Sequence, residues 1–323
     1  MSNAPPTPPA DGRARLLAVM ADIRPELHRY CARLTGSVFD GEDIVHDVLV
    51  RALDAAGGLE AGTPLRPWLF RIAHNRALDH LRGQAVRRSE PMEAAAQVAE
   101  DQAMEPDEVL MRREAVEAAF SRFIELPTVQ RSVVILKDVL GYSLTDISDL
   151  LDLSINAVKA ALSRGRIRLR QINAASPTEP PPARPASAEA STFSSLFNRR
   201  DWDALRSLLA EDVLLTQATH ADRTGRAEVG RFFTIYADIA RVHLVPARLG
   251  GGEEVIAVFE QVGDEHPVYL MKVEWRDGRI ARIRDFRYAR YILEGADLVL
   301  AEAHRDGEAG RAETGRAETG TAT

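Results

Sequence analysis

Apolar positions recur at helical spacing through the first half of the chain and change period in the second. In the first half the spacing predicts helices over Arg13–Leu34, Asp40–Ala56 and Leu65–Arg82, with Pro25 a candidate break in the first and short Gly/Pro/Thr loops between them. A further helix starts near Pro106, a residue suited to a first helical turn. The stretch Leu126–Arg170 carries the most information. Ser143 with Asp146 three residues on forms a capping-box pattern, and Leu144, Ile147, Leu150 and Leu151 make one apolar face behind it. Asp152-Leu153-Ser154 then reads as a three-residue turn, with Ser154 capping a second helix whose inward positions are Ile155, Val158, Leu162 and Ile167/Leu169. The pattern is that of a helix-turn-helix closing near Asn173.

Beyond it the period becomes mixed. Ala188–Asn198, Trp202–Ala210 and Arg226–Ala237 read as helices. Arg241–Leu249, Glu254–Gln261, Val268–Arg276 and Arg279–Tyr288 read as strands, with Gly250-Gly251-Gly252 and Asp277-Gly278 as turns. Helices followed by a run of adjacent strands predict an α+β domain with a curved antiparallel sheet.

Composition divides the chain further. Between Glu90 and Glu117 the acidic residues far outnumber Arg112 and Arg113, which marks an acidic linker running into a helix. Ser176–Ser187 (SPTEPPPARPAS) is Pro-rich and reads as an extended, semi-stiff tether. The Arg-Ala-Glu-Thr-Gly repeats at 311–315 and 316–320 mark low complexity, and the Pro-rich start lacks the order of a signal peptide. The resulting division is a disordered tail over 1–12, helical domains over 13–84 and 113–173 flanking a linker at 85–112, a tether at 174–187, an α+β domain over 188–300 and a tail over 301–323.

The 323 residues suffice for several cored domains, and the net charge of −7 excludes a protein that coats nucleic acid nonspecifically, so any DNA binding must come from local basic patches. Cys31 is the single cysteine, which excludes a disulfide framework and a cysteine zinc cluster, and no apolar run reaches the length of a membrane span. A cytoplasmic protein without membrane contact is expected. The histidines never pair at i, i+4 or with the cysteine, and no Gly-rich phosphate loop appears, so neither metal nor cofactor is expected.

The second helix of the helix-turn-helix adds the first functional signal. Lys159, Arg164, Arg166, Arg168 and Arg170 line it without an acidic residue among them, which is the make-up of a helix that enters a DNA major groove. An amphipathic helix with a solvated basic face satisfies the same pattern.

Several motifs together resemble one family. Leu126-Pro127, Gln130-Arg131, Gly141-Tyr142-Ser143 and Ala157-Val158-Lys159…Arg164 resemble the fourth region of sigma-70 superfamily factors, in the extracytoplasmic-function (ECF) group. Upstream, Asp40-Gly41-Glu42-Asp43-Ile44-Val45-His46-Asp47 and the run Trp68–Asp79 resemble that group's second region. The resemblance implies two all-α sigma domains and a role in transcription initiation with core RNA polymerase as partner. It assigns Ser154, Asn156, Lys159, Ser163, Arg164 and Arg166 to duplex DNA at the −35 element. It assigns Phe70, Arg71, Asn75, Arg76 and Arg82 to the melted −10 element, with Asn75 holding an extruded base, and Asp40, Glu42, Asp43 and Asp47 to the polymerase clamp. Trp68 shares a core face with Leu69, Ile72 and Leu78, so packing is favoured over base stacking there, while Phe70 is open to either role.

The region from Ala188 to Leu300 is similar to SnoaL-like domains, which implies a cone-shaped α+β fold after the two sigma domains; Phe197-Asn198, Asp201-Trp202, Gly225-Arg226 and Arg284–Tyr288 carry the likeness. His220, Tyr236, Asp285 and Tyr288 are candidate pocket residues, but no acid/base pair follows from one sequence, and the domain is expected to regulate rather than catalyse, by docking on the sigma domains. Two other readings remain: a standalone helix-turn-helix regulator, and a SnoaL-like cyclase or isomerase fused to a DNA-binding module. The motifs at 40–47 and 68–82 favour the sigma factor, since an ordinary regulator needs neither.

Overall fold

The computed structural model describes residues 12–60, 62–88, 108–118, 120–175, 184–218, 220–237, 241–250 and 252–301. The expected N-terminal tail, most of the acidic linker, most of the Pro-rich tether and the repeat-bearing tail lie outside the described residues. The chain divides between Thr178 and Glu179 into a helical unit, which also takes Tyr291–Asp297, and an α+β unit.

In the helical unit, α1 (Gly12–Thr35) runs through Pro25 without interruption, so the expected break does not occur. A helix-interior proline costs about 3 kcal/mol. Burial of Leu16, Ile23, Leu27, Tyr30 and Leu34 on the same helix offsets it, at roughly 1.5–3 kcal/mol for each fully buried large apolar side chain. Helix α2 (Val38–Ala55) is capped by Ser37, whose side chain accepts from the Asp40 backbone N–H. Gly41 lets α1 and α2 meet backbone to backbone, because a Cβ there would lie 2.7 Å from the Ala32 main chain. Helix α3 (Leu65–Arg88) completes a three-helix packing with Leu69, Phe70, Ala73 and Ala77 buried.

Next come α4 (Glu108–Glu117), α5 (Phe120–Phe123) and α6 (Thr128–Val134), which continues into a π-helical turn over Ile135–Val139. Gly141 at φ +78° releases the chain from that turn into α7 (Leu144–Leu151), followed by α8 (Ile155–Ala175). At Gly165 a Cβ would meet the Val134 side chain at 2.6 Å, so α8 and α6 need glycine to close. Arg131, from the Gln-Arg pair, is buried and donates to the carbonyls of Leu34, Ile124 and Leu126, tying the two helical groups into one core.

The α+β unit begins with α9 (Ala188–Asn198) and α10 (Trp202–Ser207). Helix α10 ends three residues before the predicted boundary, and β1 (Leu209–Gln217) follows, a strand absent from the sequence reading. Its register shifts between Leu209 and Leu214, so the alternation that marks a strand is broken by a bulge. After β2 (Arg223–Thr224), the predicted single helix is two, α11 (Arg226–Gly230) and α12 (Phe232–Ala237), separated at Arg231. Strands β3 (His243–Leu249), β4 (Glu254–Phe259), β5 (Tyr269–Arg276) and β6 (Arg279–Asp285) form the expected antiparallel run. The sheet as a whole is mixed, in the order β2-β1-β6-β5-β4-β3-β7, because β1 runs parallel to β6 and β7 (Leu298–Leu300) adds to β3. Phe193, Phe197, Phe232, Phe233 and Tyr236 from the helices share a core with Leu244, Ile256, Met271 and Ile283 from the sheet.

Candidate functional site

The helix-turn-helix is set by its caps. Ser143 and Asp146 form the reciprocal capping box, Asp152 closes α7 at φ +55° in the left-handed region, and the Ser154 hydroxyl accepts from the Ala157 N–H at 3.2 Å. On α8, Ser154, Asn156 and Lys159 are exposed at the N-terminal end, with Ser163 and Arg164 half-buried further along. Asn156, Lys159 and Ser163 follow i, i+3, i+7 and therefore share a face. Arg166 does not join them. It is buried and holds Asp138 with two bonds, Nε to Oδ2 at 2.9 Å and Nη2 to Oδ1 at 2.6 Å. Its guanidinium is spent on the fold, a correction to its place among the groove-facing residues. Ile155 and Ile167, expected inside, are 42% and 41% exposed, while Val158, Leu162 and Leu169 are buried.

On α3 the exposed stripe is Arg71, Asn75, Asp79 and Arg82. Phe70 lies under it, fully buried, with ring centroids 5.7 Å from Tyr30 and 5.2 Å from Tyr142, so it is a core side chain here and cannot stack on a base without leaving that core. Trp68 is half-buried against the same core, as its spacing suggests. Arg71 donates to the Asp149 carbonyl of α7 at 2.9 Å, Arg76 pairs with Asp47 at 2.7 Å, and Arg82 pairs with Asp79 at 3.0 Å. Beneath them His74 Nδ1 lies 2.7 Å from the Tyr30 hydroxyl, and burial, with Arg82 nearby, lowers the His74 pKa to about 4.

The four acidic residues of α2 diverge. Asp43 is exposed, Asp40 meets His80 at 3.2 Å and Gln84 at 3.0 Å, and Asp47 meets Arg76. Glu42 is buried, bound by Arg24 through Nε (3.2 Å) and Nη2. The Tyr291 hydroxyl completes that cluster, accepting from Arg24 Nε at 2.7 Å and donating to Glu42 Oε2 at 2.8 Å. In the same segment Glu294 lies 3.6 Å from Arg29, and the Tyr291 ring is 5.2 Å from the buried His28 ring. Neither Tyr291 nor Arg24 was singled out from the sequence. Only Pro25 beside it drew notice in the sequence, and the Tyr291 partner of Arg24 lies 267 positions away.

Of the four candidate pocket residues in the α+β unit, Tyr236 and Asp285 come together and the other two form a separate pair. Tyr236 donates to Asp285 Oδ2 at 3.4 Å, Gln217 donates to the same oxygen at 2.7 Å, and the Tyr236 and Tyr269 hydroxyls are 2.9 Å apart. Burial raises the Asp285 pKa to about 6 against the pull of the Gln217 bond, and burial pushes both tyrosines up as well. His220 and Tyr288 stack on each other at 4.2 Å and are both exposed. Among the described residues no cluster of three or more His, Cys, Asp or Glu side chains is arranged to hold a metal, and no helix is long and apolar enough to cross a membrane.

Comparison with known proteins follows the same division. The family model for sigma-70 region 2 matches residues 19–87, that for sigma-70 region 4 matches 122–169, and that for the SnoaL-like domain matches 190–291. The ECF RNA polymerase sigma factor SigG of Mycobacterium tuberculosis is 30% identical over 315 residues, covering 86% of this chain and 83% of the relative. SigW of Bacillus subtilis, another ECF RNA polymerase sigma factor, is 26% identical over 163 residues, covering 48% of this chain and 87% of its own. Among solved structures, the ECF sigma factor SigJ of Mycobacterium tuberculosis aligns over 86% of this chain and 98% of its own at 20% identity, with a TM-score of 0.34.

Proposed function

The chain belongs to the extracytoplasmic-function sigma factors, with a SnoaL-like domain at its C-terminal side, and from that membership we propose how its residues divide the work of initiation. A sigma factor performs no bond chemistry of its own; it must hold core RNA polymerase, read duplex DNA and trap a melted strand. In this chain the Ser154–Asn156–Lys159–Ser163–Arg164 face of α8 reads the −35 duplex. Each bidentate side-chain contact to a base edge there is worth about 1–3 kcal/mol of discrimination. Arg168, exposed further along the helix, meets phosphates and sets register.

The Arg71–Asn75–Arg82 stripe takes the melted −10 strand. The Asn75 amide presents donor and acceptor together to an extruded base, and the arginines follow the strand's phosphates. Arg71 reaches that role by releasing the Asp149 carbonyl, so both promoter elements are engaged only after α3 and α7 separate. Asp40, Asp43 and Asp47 serve the polymerase, joined by Glu42 when Arg24 and Tyr291 release it, and the chain works in the cytoplasm where polymerase and promoter are.

The SnoaL-like domain regulates. What supports this reading is the fusion itself, a SnoaL-like match at 190–291 following the two sigma-region matches on one chain. Within the helical unit, Tyr291 binds Glu42 of the acidic helix. A segment that occupies Glu42 competes with any polymerase surface that needs it, so release of Tyr291 should raise affinity for core enzyme. The assignment as a whole is carried by the coexistence of a capped basic helix and an exposed Arg/Asn stripe in one helical unit. It is tested by run-off transcription: Lys159→Ala and Asn75→Ala should each cut promoter-dependent transcripts while leaving core binding intact. Loss of core binding in either variant would contradict these roles.

A further inference from the structure

A cavity of about 310 Å³ opens in the α+β unit between the start of β3, the end of β4, the start of β5 and the turn after β6. Its volume is in the range of small-molecule sites. Arg241, Arg287 and Arg290 line it against a single carboxylate, Glu260. Of the three arginines only Arg290 has a carboxylate within ion-pair distance among the described residues, Glu260 at 3.6 Å. Arg287 is held over the Tyr236 ring, 5.7 Å from its centroid, which orients its guanidinium at the cavity wall. Val242 and Val268 add apolar wall on either side of Tyr269.

Tyr269 gives this cavity its second chemical feature. Its hydroxyl joins Tyr236, and Tyr236 joins Asp285, a carboxyl fixed further by Gln217 and by the Arg287 backbone N–H at 3.2 Å. With Tyr236 donating to the carboxylate, Tyr269 donates to Tyr236, which fixes the Tyr269 side chain at the cavity wall. The cavity therefore offers arginines for an anion and, in Val242, Val268 and Tyr269, a wall for a flat apolar body.

We propose that this cavity binds a small aromatic carboxylate, its acid group held by Arg241 and Arg287 and its ring against Val242, Val268 and Tyr269. Guanidinium groups match a carboxylate in a two-bond fork, which gives an acid the advantage over a neutral analogue of the same shape.

The test uses the full chain and direct calorimetric titration with para-hydroxybenzoate, hydroxynaphthoate, the neutral para-hydroxybenzamide and inorganic phosphate. The proposal expects one-to-one saturation by at least one of the two aromatic acids, with affinity at least ~10-fold above that of the amide and of phosphate, or about 1.4 kcal/mol. Arg287→Gln and Arg241→Gln should each weaken the acid by about 10-fold, with thermal melts matching the parent. Arg231→Gln, at an exposed arginine paired with Glu228 on the same unit, should change nothing. Failure of both aromatic acids to saturate, equal binding of amide and acid, phosphate binding as tightly as the acids, or indifference of both folded arginine variants would overturn it. Because binding is read directly, none of these results bears on the transcriptional role.

Discussion

Asp285 and His74 are buried ionisable side chains whose folded environments push stability in opposite directions with pH. Burial holds the Asp285 pKa near 6, above its unfolded value of 3.8, so the folded chain binds more protons between those values and loses stability as pH rises through that window. The loss levels off above the folded pKa and is about 3 kcal/mol at most. His74 is the reverse case: its pKa falls to about 4 from 6.5, so its contribution is present above 6.5 and is lost as pH falls toward 4. Calorimetric melts between pH 4 and 6.5 should show that Asp285→Asn gains on the parent as pH rises, and an unchanged difference across the window would contradict the burial argument. Arg166 supplies a second residue-scale prediction. Removing one partner of a buried ion pair costs about 3–5 kcal/mol, so Arg166→Ala should destabilise the helical unit severely in a denaturant titration. Lys159→Ala should stay within about 0.5 kcal/mol of the parent, as exposed positions do. Sequence could not tell these two basic residues apart, because the ion pair that removes Arg166 from the surface depends on Asp138, 28 positions earlier and on a different turn.

Helices and caps were the legible elements, and bulged strands were not. Ser143 with Asp146 announces α7 by local chemistry alone, and the capping box is present as read. Ser143→Ala should therefore cost about 0.5–2 kcal/mol, and a melt unchanged from the parent would show that tertiary contacts, not the cap, set that helix. Strand β1 escaped because Ala210, Glu211 and Asp212 follow Leu209 without alternation, and because its pairing is to β6, a strand about seventy residues on in the chain. The same distance hid the Tyr291 segment. Tyr291 looks like an ordinary aromatic after a strand, and only the folded chain brings it to Arg24 and Glu42. Its role is checked by core-binding titration of Tyr291→Phe, which loses both hydroxyl bonds and keeps the ring. Affinity for core polymerase should rise several-fold, and a fall or no change would sink the competing-segment reading.

At the scale of the molecule, the division into helical and α+β parts and the two sigma regions were readable from periodicity, the Pro-rich boundary and the resemblance. What was not readable is the packing inside the helical unit, where Arg71 meets Asp149 and Phe70 meets Tyr142. Those contacts join the helix assigned to the −10 strand with the helix-turn-helix, and they place two of the candidate DNA residues against protein. The account requires them to give way when promoter DNA is bound. The most direct measurement is run-off transcription from a matched promoter by core RNA polymerase with and without the full chain, accompanied by a footprint of the chain alone. The account predicts a transcript of defined start only when chain and core are combined, and no footprint from the chain by itself. A clear footprint without polymerase, together with no stimulated transcript, would contradict it and favour a standalone regulator.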